Sequence, residues 1–163
     1  MNEGLVAGTA PPPPKQKMDV IRIVAVEPQT LIVVSRAIWG QNIHWFGRRS
    51  HECRADRGEC EGCRDNWPQK WKGYLHVTSA PGNWQGFLEI TATAWQLIEV
   101  QAPKGEQLRG LMIRVGRTKG GAKGRYLIEV LERRIDNANL PTERDPLATL
   151  RMLWRAKKGP LPN

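Results

Sequence analysis

The chain has 163 residues, with 25 lysines and arginines against 16 aspartates and glutamates, which gives a formal net charge of +9. Hydrophobic residues make up 40% of the sequence, a share that supports a packed core and excludes a wholly disordered chain. No apolar run approaches the roughly 18 residues of a membrane span, and no basic residue precedes an apolar core in the first ten positions, so neither a membrane span nor a secretory signal is expected. The positive charge of this expected intracellular protein favours an acidic partner, nucleic acid before a membrane surface.

The N-terminal residues 1–17 are predicted to be a disordered, Pro-rich leader. They contain four consecutive prolines at positions 11–14, and they have too few apolar side chains to offset the entropy of ordering. From residue 18 the pattern changes to two β-branched runs, 20–26 and 31–34, with the turn signal Glu27-Pro28-Gln29 between them. These runs predict the two strands of a hairpin.

A polar, charged stretch follows at residues 39–72 and holds all three cysteines and two of the three histidines. It lacks a regular hydrophobic period and is predicted to be an inserted loop module, with its metal-binding part at about 44–72. Further strands are predicted at 74–78, 87–91, 111–115 and 126–131, with a short helix at 92–100. Five or six short strands favour a small barrel of the oligonucleotide/oligosaccharide-binding (OB) type over a sandwich, which would need about seven.

The domain organisation expected from these patterns is one mainly β, OB-like domain over residues 18–134 and a basic, Pro-containing tail over 135–163. Within the tail, residues 147–156 have a pattern that fits a short helix. Both termini are expected to be flexible.

Three cysteines within eleven residues indicate a metal site rather than disulfides. Cys60 and Cys63 have the Cys-x-x-Cys spacing that lets two thiolates bind one zinc ion, and Cys53 supplies a third thiolate. His51 is favoured as the fourth ligand because residues two apart in an extended segment point to the same side, and His44 is the alternative. A site with four protein ligands is closed, so the zinc is expected to be structural and to order about thirty residues. An iron–sulfur cluster would prefer a fourth cysteine.

Sequence motifs of common catalytic sites are missing. No histidine begins the His-x-Glu pattern that zinc nucleobase deaminases require, and the sequence contains no P-loop, His-Glu-x-x-His or Gly-x-Ser-x-Gly. We therefore expect a protein that is not an enzyme, with a small metal-dependent nuclease as the weakest alternative.

Aromatic and basic residues indicate a nucleic-acid surface. Seven tryptophans stand against two phenylalanines and two tyrosines, and a base stacked on an aromatic ring is worth about 1 to 3 kcal/mol. Eight basic and two acidic residues lie between Arg109 and Arg134, around a Gly-rich turn that can follow a phosphate backbone. The alternative to a nucleic-acid contact is, for each tryptophan, a place in the protein core. For the basic residues of the Gly-rich turn, it is an ordinary solvated hairpin turn. The candidate nucleic-acid contacts are Trp39, Trp45, Arg48, Arg49, Trp67, Lys70, Trp71, Lys72, Tyr74, Arg114, Arg117, Lys119, Lys123, Arg125 and Tyr126.

The order of these parts resembles the zinc-containing single-stranded-DNA-binding (helix-destabilising) proteins of tailed phages. The resemblance covers residues 18–134 and is architectural, and its specific part is the ligand set that begins at His51 and ends at Cys63. It implies an OB fold, structural zinc and sequence-tolerant binding of single strands in DNA replication, recombination or repair. It also implies a cytoplasmic, nucleoid-associated location in a bacterial or phage-infected cell. The positions that match the stacking residues of that family are Trp45, Trp67, Trp71 and Tyr74.

The leading hypothesis is a sequence-tolerant single-stranded nucleic-acid-binding protein, with DNA as the expected ligand and RNA left open. The alternative is a zinc-stabilised protein-interaction subunit of a larger nucleoprotein complex. Replication or recombination proteins are the further partners considered, and exposed strand edges leave homo-oligomerisation open. The tail is basic where the resembling phage proteins carry an acidic one, so recruitment of partners through the tail is not expected.

Overall fold

The computed structural model describes residues 18–80 and 82–156, so the predicted leader and the last seven residues lie outside the described part of the chain. The described residues form eight strands, three α-helices and three short 3-10 turns. The main elements are β1 Asp19–Arg22, β2 Gln29–Val33, β3 Trp39–Phe46, β4 Arg49–Glu52, α1 Glu61–Arg64, β5 Gln69–Ser79, β6 Gln85–Thr91, α2 Ala92–Gln101, β7 Leu111–Arg117, β8 Tyr126–Arg134 and α3 Pro146–Ala156. The fold is therefore mainly β, as predicted.

All eight strands belong to one mixed sheet, which runs β1-β6-β5-β2-β7-β8, with β3 paired to β5 and β4 paired to β3. Only β1 and β6 are parallel among these pairs. The long strand β5 pairs with β2 along one half and with β3 along the other. The sheet has eight strands and is open, and the predicted small OB-like barrel of five or six strands is not confirmed. Backbone bonds from Gly121 to Val24 and from Arg117 to Ala25 bring the β7–β8 turn next to the segment that follows β1.

The hydrophobic core lies on one face of this sheet, under α2. Alternate positions of the strands are buried there because successive side chains of a strand point to opposite faces. The Thr91 hydroxyl accepts the Ala94 N–H and begins α2, which packs Ala94 and Ile98 onto the strands. The main strand residues of this core are Leu31, Val33, Leu75, Val77, Leu88, Ile90, Ile113 and Val115.

The C-terminal segment lies against the opposite face of β5, although the sequence predicts a flexible tail there. The backbone N–H of Arg144 donates to Nδ1 of the fully buried His76. The Arg109 guanidinium donates to the carbonyl oxygen of Pro141 at 2.8 Å, and Leu150 of α3 is buried. Helix α3 contacts β4 and β5, so residues 140–150 are part of the folded domain.

The segment predicted to be an irregular loop module contains regular structure. Strands β3 and β4 form a hairpin whose turn residues, Gly47 and Arg48, both have positive φ, at 58° and 61°, as tight hairpin turns require. Polar residues occupy most of one side of this hairpin, so a hydrophobic period could not reveal it. No helix in the described part of the chain has the length and the apolar character needed to cross a membrane.

Candidate metal centre and its aromatic surface

Four side chains of the hairpin and α1 form a compact cluster: the ligand atoms of His44, Cys53, Cys60 and Cys63 all lie within 4.8 Å of one another. Cys53 Sγ is 3.6 Å from Cys63 Sγ and 3.9 Å from Cys60 Sγ, and His44 Nε2 is 3.4 Å from Cys63 Sγ. Tetrahedral zinc coordination gives S–S separations of about 3.8 Å and S–N separations of about 3.5 Å. The cluster therefore has the donor set and the size to hold one metal ion.

Three elements bring these ligands together. His44 comes from β3, Cys53 directly follows β4, and Cys60 and Cys63 lie at the start and in the middle of α1, which packs against β3. The close packing depends on Gly62, because a Cβ at that position would lie 2.4 Å from the ring carbons of His44. Glycine at this position thus lets the short helix approach the imidazole.

Hydrogen bonds outside the cluster orient two of the ligands. His44 Nδ1 lies 2.9 Å from the carbonyl oxygen of Trp67, and since a carbonyl only accepts, Nδ1 carries the proton and the Nε2 lone pair faces the cysteines. The Gln69 side chain donates from Nε2 to Cys53 Sγ at 2.9 Å. Such outer contacts fix ring orientation and support thiolate charge in metal sites.

The thiols of the cluster differ in proton affinity. Burial opposes ionisation of Cys60, but hydrogen bonds from the backbone N–H groups of Arg54 and Cys63 outweigh it and lower its pKa to about 6. The pKa of Cys63 is raised to about 11, first by its hydrogen bond with Cys53 and then by desolvation. Several thiolates in so small a space repel one another, and a divalent cation removes that repulsion.

His51, the ligand that the sequence favoured, lies outside the cluster, and His44 takes its place. The two histidines face each other across the β3–β4 ladder, but α1 packs over β3, so its cysteines reach His44. The His51 ring instead stacks on Phe46, with centroids 3.6 Å apart and planes 2° from parallel. Its Nε2 lies 3.0 Å from the Phe46 carbonyl oxygen, and burial lowers its pKa.

An aromatic stack extends from His51 through Phe46 to Trp67, whose ring centroid is 5.7 Å from that of Phe46. The Trp67 ring is the outer member and is 45% exposed. Its backbone N–H donates to the Gly62 carbonyl at 2.8 Å, so the ring is held beside the metal cluster. The sequence analysis did not predict that Phe46 and His51 stack with Trp67. In a β-hairpin, residues two apart share a face, so Phe46 lies on the face of His44, and His51 lies on the face of Arg49.

Strand pairing divides the other predicted nucleic-acid contacts in the hairpin region between two faces. Paired residues share a face and neighbours alternate, so Arg49, which pairs with Phe46, and Trp71, which pairs with Asn42, lie on the metal face. Arg48 lies in the turn between the faces. The opposite face carries Trp39, Trp45, Lys70, Lys72 and Tyr74.

Several of these residues are engaged within the protein. Tyr74 is 2% exposed and donates its hydroxyl to Glu89, which also accepts a 2.6 Å bond from Lys72. The Trp39 ring lies 5.8 Å from that of Tyr74. The Trp71 ring covers Gly40 and Gly73. Trp45, by contrast, is 54% exposed.

The β7–β8 turn contains both internal and exposed basic residues. Arg117 is buried, and its guanidinium donates to the carbonyls of Ile23, Ala122 and Gly124 and lies 4.0 Å above the Tyr126 ring. Arg114 pairs with Glu129 at 3.3 Å. The exposed basic residues at this turn are Lys119, Lys123 and Arg125.

Comparison of the chain with protein-family models, with curated proteins and with solved structures found no match in any of the three.

Proposed function

We propose that this protein is a non-enzymatic, sequence-tolerant single-stranded nucleic-acid-binding protein, with DNA as its main ligand, that acts in DNA replication, recombination or repair. The observation that carries the proposal is the Trp67 ring, half exposed at the end of the aromatic stack and beside a cluster of metal ligands. A base stacks on such a ring whatever its identity, because every base has a π-face.

The metal proposed for the cluster is zinc, bound as a structural ion. Three thiolates and one imidazole match the closed ligand sets of structural zinc sites, which keep no open position for a substrate. When bound, zinc would link β3, β4 and α1, three short elements with few apolar side chains between them. His44, Cys53, Cys60 and Cys63 would hold it.

The sheet order supports an OB-type domain. The path β6-β5-β2-β7-β8, with α2 between β6 and β7 in the chain, is compatible with a five-stranded, partly open Greek-key barrel. In this interpretation β2 and β5 are the first two barrel strands, and the metal module is the loop between them. OB folds bind oligonucleotides with this loop and with the loop between the last two strands, which here carries Lys119, Lys123 and Arg125.

In the proposed complex, stacking and charge contribute separately. Phe46 and His51 support the Trp67 ring from behind, so little order has to be gained when a base stacks on it. The Arg49 guanidinium and the three exposed cations of the β7–β8 turn would neutralise phosphates, and this part of the affinity falls as salt rises.

The test is fluorescence anisotropy of a labelled, mixed-sequence oligonucleotide of about 20 nucleotides with zinc-loaded protein, beside its duplex and an RNA of the same sequence. Trp67→Ala is expected to weaken single-strand binding about 5- to 150-fold, the equivalent of one lost stacking contact. Replacing Lys119, Lys123 and Arg125 together is expected to flatten the salt dependence by about 2 in log–log slope. The matched control is Val100→Ala, which removes an exposed apolar side chain of α2.

Unchanged affinity of Trp67→Ala, or equal binding of duplex and single strand, would contradict the proposed site. Cleavage of any of these nucleic acids after addition of Mg²⁺ or Mn²⁺ would favour the nuclease alternative instead.

The second candidate function, a protein-interaction subunit of a nucleoprotein complex, is favoured by one observation. A groove of about 610 Å³ runs beside α2, lined by Ile38, Trp95, Pro103 and Leu108, and Val100 on its border is 77% exposed. This candidate replaces the first if the zinc-loaded protein binds none of the oligonucleotides and Val100→Glu abolishes its association with a purified replication or recombination protein.

A further inference from the structure

We propose that metal occupancy positions the Trp67 ring, so that the metal ion and a single-stranded nucleic acid bind this protein cooperatively. The inference rests on the proposed function and adds to it a regulation of the same site: loss of the metal would release the nucleic acid. It follows from the contacts that join Trp67 to the metal ligands.

Both backbone polar groups of Trp67 are bonded to the metal-binding lobe, which consists of β3, β4, α1 and the segment between β4 and α1. The carbonyl accepts from the ligand His44 at 2.9 Å, and the N–H donates to the carbonyl of Gly62, the neighbour of ligand Cys63, at 2.8 Å. Two residues further on, Gln69 donates to the sulfur of ligand Cys53. The segment 67–69 thus contacts two of the four ligands, His44 and Cys53, and the neighbour of a third, Cys63.

The bond from His44 would connect a bound metal ion to Trp67 through a single imidazole ring. Metal coordination through Nε2 requires the proton on Nδ1, and this proton is the one donated to the Trp67 carbonyl. Without a metal ion, the ring has no coordinate bond to hold its orientation, and the repelling thiol groups have no common partner. We therefore expect the segment from α1 to β5 to lose its fixed position, and the Trp67 ring to leave the stack on Phe46.

Because binding free energies are coupled reciprocally, the cooperativity can be measured either as a change in nucleic-acid affinity or as a change in metal affinity. If the metal improves nucleic-acid affinity by a given factor, the nucleic acid improves metal affinity by the same factor. Typical couplings of this kind are about 5- to 150-fold. Trp45 provides a matched comparison, because it is exposed to a similar degree but lies on the opposite face of β3 from His44.

The experiment measures zinc affinity by competition with a chromophoric chelator, with and without a saturating mixed-sequence oligonucleotide, for wild type, Trp67→Ala and Trp45→Ala. We expect the oligonucleotide to tighten zinc binding about 5- to 150-fold in the wild type and in Trp45→Ala, and to have no effect in Trp67→Ala. Coupling that persists in Trp67→Ala, or is absent in a wild-type protein that binds the oligonucleotide, would overturn the proposal.

Two further measurements keep the inference testable if another step fails. If zinc-free protein unfolds, the cobalt(II)-loaded protein replaces it: the oligonucleotide should change the visible cobalt spectrum of the wild type and of Trp45→Ala but not that of Trp67→Ala. If the zinc-loaded wild type binds no oligonucleotide, the proposed function fails. In that case the fluorescence of Trp67, obtained as the emission of the wild type minus that of Trp67→Phe, is measured with and without zinc. A change on zinc removal supports positioning of the ring by the metal, and the same Trp67 fluorescence in both states rejects the proposal.

Discussion

Substitution of the two neighbouring histidines separates a metal ligand from a stacking residue. His44 is fully buried with Nε2 facing the cysteines, whereas His51 stacks on Phe46 and faces its carbonyl. Structural zinc sites bind with about 10 to 16 kcal/mol shared by four ligands, so one ligand is worth about 3 to 4 kcal/mol. His44→Ala should therefore weaken zinc binding by about two to three orders of magnitude.

His51→Ala removes one ring from the stack, which is worth about 0.5 to 1.5 kcal/mol of folding stability, and leaves all four ligands in place. We expect its zinc affinity to stay within about threefold of the wild type. Chelator competition measures both affinities, and the thiolate absorption of the cobalt(II) form checks that the three sulfur ligands remain. Greater loss of zinc affinity in His51→Ala than in His44→Ala would refute the ligand assignment.

Three further substitutions test one contact of the metal centre and two buried polar groups elsewhere in the fold. Gly62→Ala places a methyl group against the His44 ring and should weaken zinc binding about 10- to 100-fold in the same chelator assay. Arg117→Met removes three charge-assisted bonds to carbonyls and should lower the free energy of unfolding by about 2 to 4 kcal/mol in urea, against less than about 0.5 kcal/mol for Lys119→Met. Burial lowers the pKa of His76, so below about pH 6.5 the unfolded chain binds more protons than the folded one and the zinc-loaded wild type should lose stability. His76→Gln should lose less stability over the same range. Parallel curves of unfolding free energy against pH for the two proteins would contradict this.

The metal cluster could be predicted from sequence because its chemistry is local. Cys60 and Cys63 are three residues apart, and thiols among charged residues have few uses other than metal binding. The choice between His44 and His51 could not be made, because it depends on the packing of α1 over β3 rather than on β4. That packing is a tertiary contact, permitted by Gly62, and no spacing rule along the chain contains it.

The sequence proposes candidate nucleic-acid contacts by residue type, but it does not show which of these side chains are exposed. Trp67 and Trp71 are close in sequence, yet one ring is half exposed and the other covers Gly73. Arg117 and Lys119 are two residues apart, yet Arg117 is buried and donates to carbonyls of the turn, whereas Lys119 is exposed. Strand register and burial decide such cases, and composition determines neither.

Two tryptophans of the described residues, Trp45 and Trp67, are exposed, which is unusual for a surface that serves stability alone. A tryptophan side chain can bury about 150 to 250 Å², so a ring left half exposed forgoes about 2 to 3 kcal/mol at about 25 cal/mol per Å². Trp45 and Trp67 together forgo about 5 kcal/mol, a large part of the roughly 5 to 15 kcal/mol that stabilises an ordinary domain. A lobe held by coordinate bonds can tolerate this loss because it depends less on apolar burial. A bound metal ion would thus leave the Trp67 face free for a ligand, as the proposed single-strand site requires, whereas Trp45 lies on the opposite face of β3.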